Sequence, residues 1–81
     1  MKASVIRKLA KEHTGDALEA AAEAIAEREE DILGVEGADL GEKLTHVMLA
    51  MRVARRVEGG EDLKDAFRDE MAGVREILEN E

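Results

Sequence analysis

The stretch of sequence that decides the fold is Asp39–Gly60, which reads DLGEKLTHVMLAMRVARRVEGG. Its apolar residues recur at the three- and four-residue spacing of an α-helix. Asp39 and Glu42 have the spacing of a capping box, in which side chains bond the first backbone N–H groups of a helix. Gly59–Gly60 then supplies a stop, because glycine is a poor helix former. We therefore predict a helix over Leu40–Glu58.

This predicted helix is apolar over more than half of its circumference. Leu44 and Val47 belong to one stripe, and Leu49 lies outside that stripe and widens it. A helix with so wide an apolar surface is usually central to its fold. We infer two burial surfaces, one inside the protomer and one against a second copy, and we predict a homodimer. The candidate interface residues are Leu49, Val53, Val57, Met48, Met51 and Phe67.

Two helices are predicted before this one. A short helix is expected over Ser4–Glu12 with Ser4 as its N-cap, because serine is a favoured capping residue. His13–Gly15 interrupts the pattern, and a second helix opens at Asp16. Gly34 is its expected stop, since glycine is common just past helix C-termini. Their predicted apolar faces consist of Val5, Ile6, Leu9, Ala10, Leu18, Ala21, Ala22, Ile25, Ile32 and Leu33.

A fourth helix is predicted to begin near Glu61 or Asp62, where acidic side chains suit the positive end of a helix dipole. Its last residues, Asn80–Glu81, are expected to fray. The connections are short, so neighbouring helices should pack antiparallel. The sequence thus predicts one all-α domain over residues 1–81, a small bundle of three longer helices plus a short N-terminal helix. The apolar stripe expected on the fourth helix is Leu63, Ala66, Phe67, Met71, Val74, Ile77 and Leu78.

The composition also favours self-association. The chain has 81 residues, no cysteine and a single aromatic residue, Phe67. A chain this short buries a smaller share of its surface than a larger domain does, so its core is marginal. It has neither a disulfide nor a cluster of Cys and His residues suited to structural zinc. Association with a second copy is the remaining way to add buried area.

The charge disfavours two classes of partner. The formal net charge is −8, which disfavours binding to nucleic acid, because that affinity depends on neutralising phosphates. It likewise disfavours an anionic membrane surface. No run approaches the ~20 apolar residues of a membrane span. The absence of cysteine fits a reducing compartment, so we expect a cytoplasmic protein that binds neither nucleic acid nor membrane.

The sequence contains no phosphate-binding loop, dinucleotide-binding glycine pattern or zinc-protease motif. We therefore expect no enzymatic activity and no cofactor. The most suggestive pair is Glu42 and His46, which are four residues apart and share one helix face. They are either a metal half-site doubled by a dimer axis, or a capping glutamate beside a polar edge histidine. Carboxylate-bridged metal bundles use a Glu-x-x-His spacing instead, which favours the second interpretation.

Three further clusters have two interpretations each. A basic cluster either contacts phosphate or an acidic partner, or pairs with acids inside the bundle. An acidic ridge on the second helix is either a solvated face or a mimic of nucleic acid. A methionine group is either an adaptable binding groove or plain core. The basic cluster consists of Arg52, Arg55 and Arg56, the acidic ridge of Glu19, Glu23, Glu27 and Glu30, and the methionine group of Met48, Met51 and Met71.

Nearly the whole chain resembles one family of short helical bacterial proteins, known as a domain of unknown function. The opening Met1-Lys2-x-x-Val5-Ile6-x-x-Leu9 looks like that family's start. The stronger match runs through Gly41, Glu42, Ala50, Val53, Gly60, Lys64, Ala66, Met71 and Val74. The resemblance implies no activity, cofactor or catalytic residue. It also implies an amide or other polar residue at the position of His46, which argues against a required metal ligand there.

The predicted function is that of a non-enzymatic interaction module, which associates with itself and with another protein. A small metal-binding bundle that uses Glu42 and His46 is the alternative, as is an acidic regulator that mimics nucleic acid.

Overall fold

The computed structural model describes the backbone of residues 1–79 and the side chains of residues 1–73. This part of the chain contains helices and no strand: α1 (Ala3–Glu12), α2 (Gly15–Arg28), α3 (Leu40–Glu58) and α4 (Leu63–Glu79). The prediction of an all-α bundle of three longer helices and a short N-terminal helix is confirmed. The predicted fraying of Asn80–Glu81 lies outside the described residues. So do the predicted apolar contacts of Val74, Ile77 and Leu78.

α3 begins and ends where the sequence predicts, because both of its ends are capped by neighbouring residues. At its start the Asp39 carboxylate accepts a 2.8 Å hydrogen bond from the backbone N–H of Glu42. The Glu42 carboxylate accepts one from the N–H of Ala38 at 3.3 Å. Past its end Gly60 has a φ of +110°, a conformation that glycine adopts without steric strain.

α1 and α2 each begin one residue before the predicted position. Ser4 lies inside α1, whose N-cap residue makes no side-chain capping bond, so the predicted cap is wrong. α2 is capped by Thr14, whose hydroxyl oxygen accepts a 3.1 Å hydrogen bond from the N–H of Ala17. Asp16 lies in the first turn of α2 instead, and its carboxylate is 3.3 Å from a guanidinium on α3.

α2 ends at Arg28, so the predicted end at Gly34 is wrong. Glu29 follows with a left-handed φ of +55°. The N–H of Glu30 donates a 3.1 Å hydrogen bond to the carbonyl oxygen of Ala24. This bond spans one residue more than the 6→1 bond of a Schellman motif, and it satisfies one of the last carbonyl groups of the helix. Glu29 therefore ends α2, a role for which the sequence predicts Gly34.

The loop after α2 is organised by Asp31. Its carboxylate accepts a 2.8 Å hydrogen bond from the N–H of Val35 and lies 3.2 Å from the ammonium group of Lys43 on α3. Val35 is thereby buried, whereas Ile32 is 54% exposed. The prediction that Ile32 lies on the buried face of α2 is wrong, because the helix has ended before that residue.

α3 is the centre of the fold, and α1, α2 and α4 all pack against it. Its residues Val47, Ala50 and Val53 are fully buried. The Cα atoms span 32 × 31 × 18 Å, so the molecule is flat. Three neighbours within one protomer thus account for much of the wide apolar surface of α3, which does not by itself require a second copy. The other buried apolar residues are Val5, Ile6, Leu9, Ala10, Leu18, Ala21, Ala24, Ile25, Val35, Ala54 and Ala66.

Candidate interaction face

The six candidate interface residues lie at different depths. Val53 is fully buried in the core of the protomer, which removes it from the candidate interface. Met48 is 48% exposed and is therefore the most accessible of the six. The remaining four are partly buried and pack against the core: Leu49, Met51, Val57 and Phe67.

Ion pairs show which flanks of α3 its neighbours cover. On one side Arg55 reaches α2, with guanidinium nitrogens 3.3 Å from a carboxylate oxygen of Asp16 and 3.0 Å from one of Glu19. On the other side Arg52 reaches α4, with its Nε 3.2 Å from a carboxylate oxygen of Glu70. The strip of α3 between these arginines is the part that faces solvent.

Met48 lies on this exposed strip. It precedes Arg52 by four residues and Arg55 by seven, so the three share one side of the helix. Leu44 lies one turn before Met48 along the helix and Met51 lies one turn after it, and both are half-buried. Together they form an apolar surface, which we call the Met48 face (Leu44, Met48 and Met51). Leu44 is not among the interface residues predicted from the sequence, although its four-residue spacing from Met48 places both on one side of the helix.

Arg56 ties α3 to α4 and to the loop between them. Its guanidinium nitrogens lie 2.8 Å from a carboxylate oxygen of Glu61, 3.0 Å from one of Asp69 and 3.3 Å from one of Glu70. The hydrogen bonds with Glu61 raise the pKa of Arg56 and lower the pKa of Glu61. The basic cluster is therefore engaged by acids of its own chain, as one of its two interpretations predicted.

The Glu42 and His46 side chains are both used to hold backbone groups. His46 is fully buried, so its interpretation as a polar edge residue is wrong. Its Nδ1 lies 2.8 Å from the carbonyl oxygen of Glu36, and its Nε2 accepts a 3.0 Å hydrogen bond from the N–H of Lys2. Glu42 caps α3 through the N–H of Ala38. A metal ion would have to displace these bonds, so the arrangement does not fit a metal half-site.

The acidic ridge of α2 is partly neutralised. Glu19 pairs with Arg55 at 3.0 Å, and Glu30 pairs with Arg28 at 3.3 Å. Glu23 is exposed to solvent. The ridge is therefore a solvated surface that also carries ion pairs, rather than an uninterrupted row of free carboxylates.

The described residues give two further results. Among them, no group of three or more His, Cys, Asp or Glu side chains is arranged to hold a metal ion. None of their helices has the length and apolar character needed to cross a membrane.

Comparison with known proteins identifies a family. The profile described as a family of unknown function (DUF6952) matches residues 1–79, and the chain belongs to that family. No curated protein matches the chain, and no solved structure matches it.

Proposed function

We propose that this member of the family is a non-enzymatic interaction module that associates with a second copy of itself through the Met48 face. The observation that carries the proposal is the 48% exposure of Met48 on the helix against which the other three helices pack. Burial of apolar side chains drives most protein association. Methionine is flexible and polarisable, so it adapts well to a partner surface.

The size of the protein supports the same proposal. Its core is built largely from alanine, valine, leucine and isoleucine, and a chain of 81 residues gains only modest stability from such a core. The molecule is only 18 Å thick in its shortest dimension. A second copy against the open strip of α3 would add burial on the side that no helix of the same protomer covers.

The two threonine hydroxyls and the His46 imidazole support a non-enzymatic role. The Thr14 hydroxyl accepts the capping bond of α2, and the Thr45 hydroxyl donates a 3.0 Å hydrogen bond to the carbonyl oxygen of Gly41. His46 is occupied by two backbone groups. Each of these side chains performs a local structural task, whereas a catalytic nucleophile or base must be free to reach substrate.

The charge distribution indicates how the association depends on salt. Each copy carries a formal net charge of −8, so two copies repel each other at low ionic strength. The strip around Met48 carries Arg52 and Arg55, but both are already paired with acids of the same chain, so they do not remove the repulsion between two copies. We therefore expect the dimer to be tighter at about 0.5 M salt than at about 0.05 M, because salt screens the remaining repulsion.

The test is sedimentation equilibrium on the wild-type protein and on two charge variants. Met48→Glu places a carboxylate in the proposed interface and is expected to weaken the dimer by about 100-fold or more. Ile32→Glu is the matched control, because Ile32 is a similarly exposed apolar residue, 54% exposed, that lies outside the Met48 face. It is expected to leave the dimer unchanged.

Two outcomes would overturn the proposal. One is a wild-type protein that stays monomeric at every concentration and salt. The other is a Met48→Glu variant that dimerises as tightly as the wild type with the same circular dichroism spectrum.

A cytoplasmic location, and a protein partner other than a second copy, stay predictions from the sequence.

A further inference from the structure

His46 joins three separate parts of the chain. It lies on α3, its Nδ1 is 2.8 Å from the carbonyl oxygen of Glu36 in the α2–α3 loop, and its Nε2 is 3.0 Å from the backbone nitrogen of Lys2 at the start of α1. The side chain is fully buried. It is the one buried polar or charged side chain among the described residues.

The two bonds together specify one protonation state of the imidazole. A carbonyl oxygen can only accept a hydrogen bond, so Nδ1 must carry a proton to bond Glu36. A backbone N–H can only donate, so Nε2 must offer a lone pair to Lys2. His46 is therefore neutral and in the Nδ1–H tautomer. A second proton on Nε2 would set two donors against each other at the Lys2 contact.

We propose that His46 is a proton-sensitive link, which holds the start of α1 on α3 when it is neutral and releases it when it is protonated. Histidine changes charge in the range of about pH 5 to 8. Protonation of Nε2 and the hydrogen bond from Lys2 exclude each other, because both use the same lone pair. Acidification therefore favours release.

Two of the charged groups near His46, Glu42 and Lys43, are engaged by other residues. A surface depression of about 490 Å³ lies beside it, lined in part by Lys2, Glu36, Glu42 and Lys43. Glu42 caps α3 at Ala38 and lies 3.6 Å from the Met1 amine, while Lys43 pairs with Asp31 at 3.2 Å. Both ring nitrogens of His46 contact backbone groups, so a proton on Nε2 replaces the Lys2 hydrogen bond without meeting a carboxylate already bonded to the ring.

Release has a defined structural consequence. α1 buries Val5, Ile6, Leu9 and Ala10, and it packs chiefly on α3. When the link at Lys2 opens, the first turn of α1 loses its tether to α3. The apolar residues of that turn, Val5 and Ile6, become accessible first. The link therefore converts a change of pH into exposure of an apolar segment at one end of the bundle.

The test is backbone amide hydrogen exchange on the whole chain at about pH 7.5 and about pH 5.5, corrected for the intrinsic pH dependence of exchange. This window lies above the ordinary titration range of aspartate and glutamate. In the wild type, protection of the α1 amides is expected to fall with acidification, by up to about tenfold per pH unit, the limit for one proton. Protection of the central α3 amides is expected to change less.

Two glutamine variants distinguish the contributions of His46 and His13 to the pH dependence of α1 protection. His46→Gln is neutral at both pH values and is expected to abolish the pH dependence of α1 protection. His13→Gln is the matched control, because His13 is the other histidine of the chain and lies at the end of α1. It is expected to behave like the wild type. If His13→Gln abolishes the pH dependence and His46→Gln keeps it, the proposal is wrong.

A measurement on the wild type keeps the proposal testable if His46→Gln does not fold. The ¹⁵N chemical shifts of the imidazole nitrogens distinguish the tautomers, and the Nδ1–H form is expected at about pH 7.5. An Nε2–H tautomer, or α1 protection that is the same at both pH values, would contradict the link.

Discussion

The backbone N–H of Gly15 donates a 2.8 Å hydrogen bond to a carboxylate oxygen of Glu58. The bond joins the first residue of α2 to the last residue of α3. It places a carboxylate at the positive end of the α2 dipole, where negative charge is stabilising. Arg55, one turn earlier on α3, pairs with Asp16 at 3.3 Å. The closeness of the two helices at this point rests on the absence of a side chain at Gly15.

Gly15→Ala should therefore destabilise the fold, although alanine is the better helix former. The added Cβ would lie 2.7 Å from Cγ of Arg55, which is too close for contact and sits near the middle of that side chain. Overpacking of this kind costs about 1–2 kcal/mol in unfolding free energy, and urea denaturation would measure it.

Gly73→Ala on α4 is the matched control, because its Cβ would meet no atom within 4 Å. That substitution should stabilise the protein by about 0.5–1 kcal/mol. A stabilising effect at both positions would show that Arg55 moves aside without loss.

Asp31 should make the loop after α2 sensitive to acid. Burial by itself raises the pKa of Asp31, but the hydrogen bonds from Val35 and Lys43 and the charge of Lys43 hold the pKa below its ordinary value. A carboxylate with a lowered folded-state pKa stabilises the fold above its unfolded-state pKa of about 3.9. That contribution is lost as the pH falls through the folded-state pKa.

Asp31→Asn is accordingly expected to lower the unfolding free energy by about 1 kcal/mol near pH 7. The difference from the wild type should be smaller at about pH 3, below the ordinary aspartate pKa of about 3.9, because protonation removes the charge from wild-type Asp31. Glu23→Gln, at an exposed position of α2, is the matched change of carboxylate to amide and should have little effect at either pH. If Asp31→Asn lowers the unfolding free energy equally at both pH values, the effect comes from the shape of the side chain and not from its charge.

Arg56→Gln should loosen the junction between α3 and α4. The guanidinium contacts Glu61, Asp69 and Glu70 together, so its removal leaves three acidic side chains close to one another. We expect a lower melting temperature, with a larger loss in dilute buffer than in about 1 M salt, because salt screens the repulsion between these acids. Arg7→Gln, at an exposed position of α1, is the control. An equal loss in both buffers would argue against an electrostatic cause.

The parts of the fold that the sequence predicts well are those determined by neighbouring residues. α3 has an aspartate at its N-cap and two glycines after its end, so both of its bounds are visible in the sequence. The four apolar residues predicted on α1 are all buried. The position of Ile32 depends instead on Asp31, which contacts Lys43 on another helix, and no local pattern reveals such a contact.

The candidate face shows the same limit. The sequence predicts a wide apolar surface on α3, but it does not reveal which helices cover that surface. Val53 and Met48 are both apolar residues of α3, yet one is fully buried and the other is 48% exposed. His46 precedes Ala50 by four residues and Val53 by seven, which places it on their buried side. That spacing was the signal by which its burial could have been predicted.

The C-terminus of α2 offers a prediction of increased stability. Glu29 has a left-handed φ of +55°, which costs a residue with a Cβ about 1 kcal/mol relative to glycine. Glu29→Gly should therefore raise the unfolding free energy by about 0.5–1 kcal/mol, as measured by urea denaturation. Glu30→Gly is the control, because Glu30 does not have a positive φ. Its replacement removes the exposed pair with Arg28 and adds freedom to the unfolded chain, so it should not raise the unfolding free energy. If Glu29→Gly is no more stable than Glu30→Gly, the left-handed residue is not what limits the stability of this helix end.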